Sequence, residues 1–236
     1  AAARQGCGRI AVAHHRDDLV ETMLMNLLRG SGPRGLAGFG ARSSAHELEV
    51  VRPLIALTRE ELEAYCRERR LKWREDASNQ DESFLRNRVR HELLPLLEDG
   101  YNPRLREALL RLGRIVRDED EWVEELAGQA YARLPRPEAG RPPTRISLRF
   151  VSEQPLALVR RCLRLWLTEL RPSGYSPPLS AVDDLIHLAR DVAAGGLCHL
   201  TDSLVFRRTR THLELISREP GRRIRRREKK DGKIKQ

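Results

Sequence analysis

Between Ala11 and Gly30 the chain reads AVAHHRDDLVETMLMNLLRG, and this stretch constrains the fold more than any other. The apolar run Ile10-Ala11-Val12-Ala13 has the length of a strand buried on both faces. His14, His15, Asp17, Asp18 and Glu21 follow, five ionisable side chains within eight residues. Val20, Met23, Leu24, Leu27 and Leu28 then recur at helical spacing. With a helix beginning near His14, positions 14, 18 and 21 stand at i, i+4 and i+7 and share one face. A strand therefore runs into a helix, with a polar cluster at the strand's carboxyl end, where open α/β sheets place their ligands.

The residue types leave three readings open. Acidic side chains in a first helical turn favour the helix dipole and need do nothing else. Two His beside several carboxylates also suit a divalent metal such as zinc or manganese, and so a metal-dependent hydrolase. The third reading is a catalytic face that binds a nucleotide or an amine.

The chain has 236 residues, enough for one large domain or two small ones with real cores. Its formal net charge of +10 points to a polyanion, with nucleic acid the first candidate. The charge is uneven. Arg218–Gln236 holds ten Lys/Arg against three Asp/Glu, so this tail alone carries +7 and the rest is only mildly basic. Four cysteines (Cys7, Cys66, Cys162, Cys198) stand far apart without a CxxC pair, which argues against a structural zinc or a disulfide framework and fits a reducing cytoplasm. No apolar run reaches the length of a membrane span.

After the first helix, Arg29–Gly38 is dense in glycine but lacks a G-x-x-x-x-G-K-[ST] pattern, so a flexible active-site loop with a C-capping Gly30 is expected. Leu48–Leu54 reads as a short strand, and Thr58 with Glu61 makes a capping box for a helix over 59–69. Leu71–Trp73 reads as extended and Asp76–Gln80 as a turn. In Ser83–Leu97, Leu85, Val89 and Leu93 give a helix one apolar edge, while Arg86, Asn87, Arg88, Arg90 and His91 fill the rest. Arg86 and Arg90 point the same way, and three arginines in five residues repel one another unless an anion or carboxylate partner stands near. The bland alternative is a solvated basic face. Asn102-Pro103 opens one long helix or two joined ones carrying Leu105 to Ala130. Leu134–Pro143 reads as a linker, Ile146–Phe150 as a strand, 155–170 and 180–191 as helices. Short strands follow around a Thr201-Asp202-Ser203 turn, with Arg207, Arg208 and Arg210 on the sheet. The tail from Arg222 has no periodicity and is expected to be disordered when unbound.

Three ordered motifs, AHHRDDLVETMLMNLLRGSGPRGLAG, RPLIALTREELEAYC and WREDASNQDESFLRNRVRHELLPLL, resemble those of the tRNA(Ile)-lysidine synthases. The likeness runs from Ile10 to Leu97 and continues more loosely to Ser217. It implies an α/β fold: the C-terminal part of a PP-loop, adenine-nucleotide-hydrolase-like parallel-sheet domain, then a mostly helical domain with a short sheet. The expected divisions are 1–98 catalytic, 99–143 connector and linker, 144–217 tRNA-binding, and 218–236 basic tail. The resemblance implies ATP and Mg²⁺ as cofactors, and isoleucine tRNA with a CAU anticodon and free L-lysine as partners, in the cytoplasm; a homodimer is left open. His14, Asp18, Glu21 and Arg90 fall on the family's catalytic positions; from the residues themselves, Asp17, Arg86, Asn87 and Arg88 are read as substrate- or phosphate-binding, and Arg207, Arg208 and Arg210 as tRNA-binding. Asp18 and Glu21 could hold lysine's ammonium or accept its proton, and Arg90 could offset phosphate charge. The family's Ser-Gly-Gly-x-Asp-Ser loop is absent, so the sequence reads as lacking its first strands. On that reading the 236 residues alone make no lysidine and aggregate through an open sheet edge. A non-catalytic tRNA-binding derivative is the competing expectation.

The tail generates its own test. Deleting Arg222–Gln236 should flatten the salt dependence of tRNA binding by roughly 0.7–0.9 log units for each phosphate it had neutralised. An unchanged slope in filter-binding titrations would reduce the tail to a solvated end.

Overall fold

The computed structural model describes residues 5–45, 48–73, 81, 83–138, 140–171, 176–200 and 204–217. The turns expected at Asp76–Gln80 and Thr201–Ser203, and the tail, lie outside them. The chain divides into two compact units, Ala1–Glu121 and Trp122–Gln236.

The first unit opens with strand β1 (Arg9–Ala11), helix α1 (Arg16–Leu28) and a single helical turn, α2 (Pro33–Leu36). Strands β2 (Arg42–Ala45) and β3 (Leu48–Val51) follow, then α3 (Arg59–Glu68). The sheet order is β1-β3-β2, with β1 parallel and β2 antiparallel to β3. A continuous helical stretch is built from α4 (Leu85–Arg88), a π turn (Val89–Leu93) and α5 (Leu94–Gly100). The long α6 (Leu105–Ala132) is one unbroken helix of 28 residues, the first of the two forms expected.

The core of this unit lies between helices. Val20 and Leu24 of α1 pack with Val89 and Leu94, and Leu105, Leu109 and Leu110 of α6 close over them. β1 was expected to be buried on both faces, yet all three of its residues are exposed. The reason is geometric: the apolar stripe of α1 faces helices, and β3 is the one strand beside β1 among the described residues.

The segment read as a flexible glycine loop is tied down. α1 ends in a Schellman motif, with Gly30 at φ +70°, Gly30 N–H donating to Leu27 O (3.0 Å) and Ser31 N–H to Asn26 O (2.9 Å). Asn26 Nδ2 then donates to Gly35 O at 2.8 Å, fixing α2 against α1. Arg117 of α6 reaches the carbonyls of Ala37 (2.7 Å) and Phe39 (3.3 Å). Thr58 and Glu61 form the expected capping box of α3.

The second unit holds β4 (Arg145–Ser147), α7 (Leu148–Glu153), α8 (Leu156–Glu169), α9 (Leu179–Arg190), β5 (Leu197–His199), β6 (Val205–Arg208) and β7 (His212–Ser217). Its antiparallel sheet runs β4-β7-β6-β5. Trp166 and Leu163 of α8, Leu185 of α9 and Phe206 and Leu213 of the sheet meet in one core. The strand expected over Ile146–Phe150 stops at Ser147, because Ser147 Oγ accepts from Arg149 N–H (3.2 Å) and starts a helix there. The segment read as a linker is pinned: Pro143 O accepts from Trp166 Nε1 at 2.6 Å, and Arg136 pairs with Glu169 at 2.7 Å. Among the described residues no helix is long and apolar enough to cross a membrane.

Gly38 stands at φ +64°, and a Cβ there would collide with Leu19 Cδ1. Gly38→Ala should therefore destabilise the first unit by about 1–3 kcal/mol in urea unfolding, from strain and overpacking together.

Candidate active site

α1 begins two residues later than the sequence suggested. His15 is its N-cap and Arg16 its first residue, so His14 lies outside the helix and the i, i+4, i+7 alignment does not form. Asp18 and Glu21 alone share the face. Both are buried, Glu21 to 1% exposure. Opposite them stand Arg86 on α4 and Arg90 in the π turn.

Together they make a four-membered clamp. Arg86 donates Nε–H to Glu21 Oε2 (2.7 Å) and Nη2–H to Asp18 Oδ1 (2.8 Å). Arg90 donates Nε–H to Glu21 Oε1 (2.6 Å) and Nη2–H to Glu21 Oε2 (3.1 Å), with Asp18 Oδ1 farther off at 3.5 Å. Asp18 Oδ2 accepts from the His15 backbone N–H at 2.9 Å, closing the helix cap. All four carboxylate oxygens thus accept from the protein, and the arginine repulsion foreseen from sequence is relieved inside the chain. Burial opposes the charge on Arg90, but Glu21, then Asp18 and Asp17, hold its guanidinium above the ordinary range. What these bonds leave open is the Nη1 amino group of each arginine, with no acceptor among the described residues. Asn87 is buried and donates Nδ2–H to Asp81 O at 2.8 Å, while Arg88 is exposed.

Asp17 does a different task. It accepts from Arg59 N–H at the start of α3 (2.8 Å) and from Arg106 Nη1 of α6 (2.8 Å), and Arg106 also holds Glu98 (2.8 Å). The His15 ring lies between the two aspartates, 3.6 Å from Asp17 and 3.4 Å from Asp18. Those are electrostatic contacts rather than good hydrogen bonds, and the buried Nδ1 has no hydrogen-bond partner among the described residues. His15 first, then Arg59 N–H and Arg106, hold the Asp17 carboxyl well below the usual range, against a burial that pushes it up.

His14 sits beyond β1, beside Arg52, which follows β3 directly. Arg52 donates Nε–H to His14 Nδ1 at 3.3 Å, and its Nη1 is fixed by Gly40 O (3.1 Å) and Ser43 Oγ (2.9 Å). Phe39 completes the group, its ring 5.1 Å from that of His14 and 4.8 Å from the Arg52 guanidinium. Accepting at Nδ1, a neutral His14 carries its proton on Nε2. Sequence reasoning missed Arg52, Phe39 and Arg106. An arginine set directly after a parallel strand was the available signal for Arg52; the other two are long-range partners.

In the second unit, the three arginines read as tRNA contacts separate. Arg207 is exposed and pairs with Glu214 (3.1 Å), Arg210 is exposed, and Arg208 turns inward to donate Nε–H to Ala189 O (3.0 Å).

Residues 1–97 match the family model described as a PP-loop domain. Curated relatives carry the likeness further, and each is named tRNA(Ile)-lysidine synthase. One from Symbiobacterium thermophilum is 38% identical over 80% of this chain and 40% of its own length. Another, from Geobacillus kaustophilus, is 39% identical over 74% of the chain and 37% of its own length. A third, from Pectobacterium atrosepticum, is 35% identical over 89% of the chain and 46% of its own length. The chain thus spans about two fifths to one half of the length of these relatives.

Asp17, Asp18 and Glu21 are each paired with an arginine, and among the described residues no three His, Cys, Asp or Glu side chains are placed to hold a metal. Mg²⁺ held chiefly by substrate phosphates and water would need only one or two protein carboxylates.

Asp17 supplies a pH test. Its folded carboxyl is depressed below the ordinary aspartate value near 3.9, so its stabilisation is complete above about pH 4 and is lost as acid reaches the lower folded value. Asp17→Asn should lower stability at pH 7 and remove that part of the acid sensitivity below about pH 4, read by urea unfolding across pH.

Proposed function

We propose that the chain is the clamp-bearing part of an ATP-dependent ligase that joins lysine to the wobble cytidine of isoleucine tRNA with a CAU anticodon. In that reaction the cytidine C2 oxygen attacks the α-phosphate of ATP and pyrophosphate leaves. The ε-amine of free lysine then attacks C2, loses a proton, and AMP departs. The relatives' shared name supports the reaction class, and one observation carries the assignment of residues: two arginines held by buried carboxylates, each with an Nη1 that has no acceptor among the described residues.

Such a clamp suits charge that develops on phosphate. Its donors are oriented before the substrate arrives, so little reorganisation is needed as the adenylate forms. Asp18 and Glu21 act through the arginines they orient, and their charge is balanced by those partners rather than by lysine's ammonium. His14, with Nε2–H directed by Arg52, is the donor left to orient the base or a phosphate. Arg88, exposed in the same helical stretch, is left to meet the RNA backbone. No step of this proposal runs through Mg²⁺.

The test is nucleoside mass spectrometry of isoleucine tRNA incubated with lysine, ATP and the gene product that carries this chain. Lysidine is expected. Bound but unmodified tRNA would favour the non-catalytic derivative instead. Glu21→Gln should slow lysine transfer by roughly a hundredfold or more with tRNA affinity nearly intact. Arg90→Lys keeps the charge but loses the planar fork, so AMP release should still fall. Wild-type AMP release in Arg90→Lys would shift the phosphate role to Arg86.

A further inference from the structure

The carboxyl end of α3 bears a surface that the clamp does not use. From Ala64 to Trp73 the chain reads AYCRERRLKW, with Arg67, Arg69, Arg70 and Lys72 set against Glu68 alone. None of these four cations forms an ion pair among the described residues. Tyr65 and Trp73 are both about half exposed, 53% and 47%. Arg69, four residues beyond Tyr65, lies over its ring at 5.5 Å from the centroid, which holds a charge against an aromatic face.

Arg70 is the deciding residue. α3 ends in the same motif as α1: Leu71 N–H donates to Cys66 O (2.9 Å) and Arg70 N–H to Arg67 O (3.1 Å). The residue after the cap must then take a left-handed conformation. In α1 that residue is Gly30 at φ +70°; in α3 it is Arg70 at φ +54°. Arg70 has positive φ where every other residue so placed, among those described, is glycine. The chain therefore closes one helix with the residue suited to this conformation and the other with an arginine that strains it. A strained position that persists points to a use for its side chain.

We propose that Tyr65, Arg69, Arg70, Lys72 and Trp73 form a docking surface for RNA, in which the cations meet backbone phosphates and the Trp73 ring stacks on a base. Unpaired cations interleaved with exposed rings match a partner that offers both phosphate and π faces. An acidic protein surface would use the charges and leave the rings idle. The proposed ligase function serves only to choose the RNA probe; the surface itself rests on charge, exposure and backbone conformation.

The experiment measures binding of an isoleucine tRNA transcript to the full chain across a salt series, without ATP or lysine, so that failure to make lysidine does not enter it. Arg70→Gly should raise the melting temperature by relieving strain, yet weaken binding by roughly threefold or more and lower the salt slope by about 1. Arg70→Lys should restore the slope. Tryptophan fluorescence should be quenched by the tRNA but not by heparin, and Trp73→Phe should abolish that quenching. A higher melting temperature in Arg70→Gly with affinity and slope unchanged overturns the proposal, since Arg70 is then a tolerated cap. A lower melting temperature in Arg70→Gly overturns it too, because the arginine would be holding the fold. Equal quenching by heparin and tRNA removes the stacking ring.

Discussion

Glu21 is the group on which the first unit depends. A carboxylate at 1% exposure is tolerable only if it is fully paired, and its partners arrive from a segment more than sixty residues away. The pairing is interleaved with the core. Val20 precedes Glu21 and Val89 precedes Arg90, and the two valines share one apolar cluster while the two charged residues bond beside it. Packing therefore sets the register of the clamp, and the clamp sets which faces of α1 and of the π turn can meet. Removing one partner of such a pair costs about 3–5 kcal/mol, because the other charge stays buried. The π turn belongs to the same constraint, since the extra residue in its ring, closed by Leu94 N–H on Val89 O, re-aims the side chains where Arg90 lies.

Much of this was legible in the sequence, and what was not has a physical reason. The α1 stripe, the α3 capping box, the Schellman glycine at Gly30 and helices α8 and α9 rest on local chemistry that four or five residues encode. Asp18, Glu21, Arg86 and Arg90 stood out in the sequence as dense charge. Their partnership was not, because a carboxylate on a helix face reads the same whether it awaits a ligand or an arginine. The start of α1 was misplaced by two residues, since His15 supplies a backbone N–H for Asp18 where Ser or Asp would be the recognisable cap. The strand over Ile146–Phe150 failed for a similar reason: alternation over five residues competed with Ser147, a helix cap in its middle. Burial of β1 was inferred from its apolar run, but burial is a property of neighbours and not of composition.

Charge in the first unit is arranged by orientation rather than by excess. Asp18 and Glu21 cancel Arg86 and Arg90, and Asp17 with Glu98 outweighs Arg106, so these paired groups themselves hold no surplus positive charge. The basic excess lies elsewhere, in the tail and on surfaces such as the end of α3. Long-range attraction for a polyanion falls with salt, whereas fixed donors in a partly buried site are screened far less. On the proposed function, attraction of a nucleic acid and chemistry upon it are therefore separable, and a variant that alters one should keep the other.

That separation follows from what each arginine is bonded to. The guanidinium of Arg90 is held at Nε and Nη2 by a buried carboxylate, so its position is fixed by the same packing that makes the core, and it cannot follow a substrate that shifts. Arg88, two residues earlier and exposed, is free to do so. A fixed donor discriminates between the ground state and a developing charge because it does not relax toward either. A mobile one binds both equally, which adds affinity without adding rate. Alternate positions of one short helical segment thus carry the two kinds of arginine that a ligase acting on a polyanion would need, and burial beside Val89 is what tells them apart.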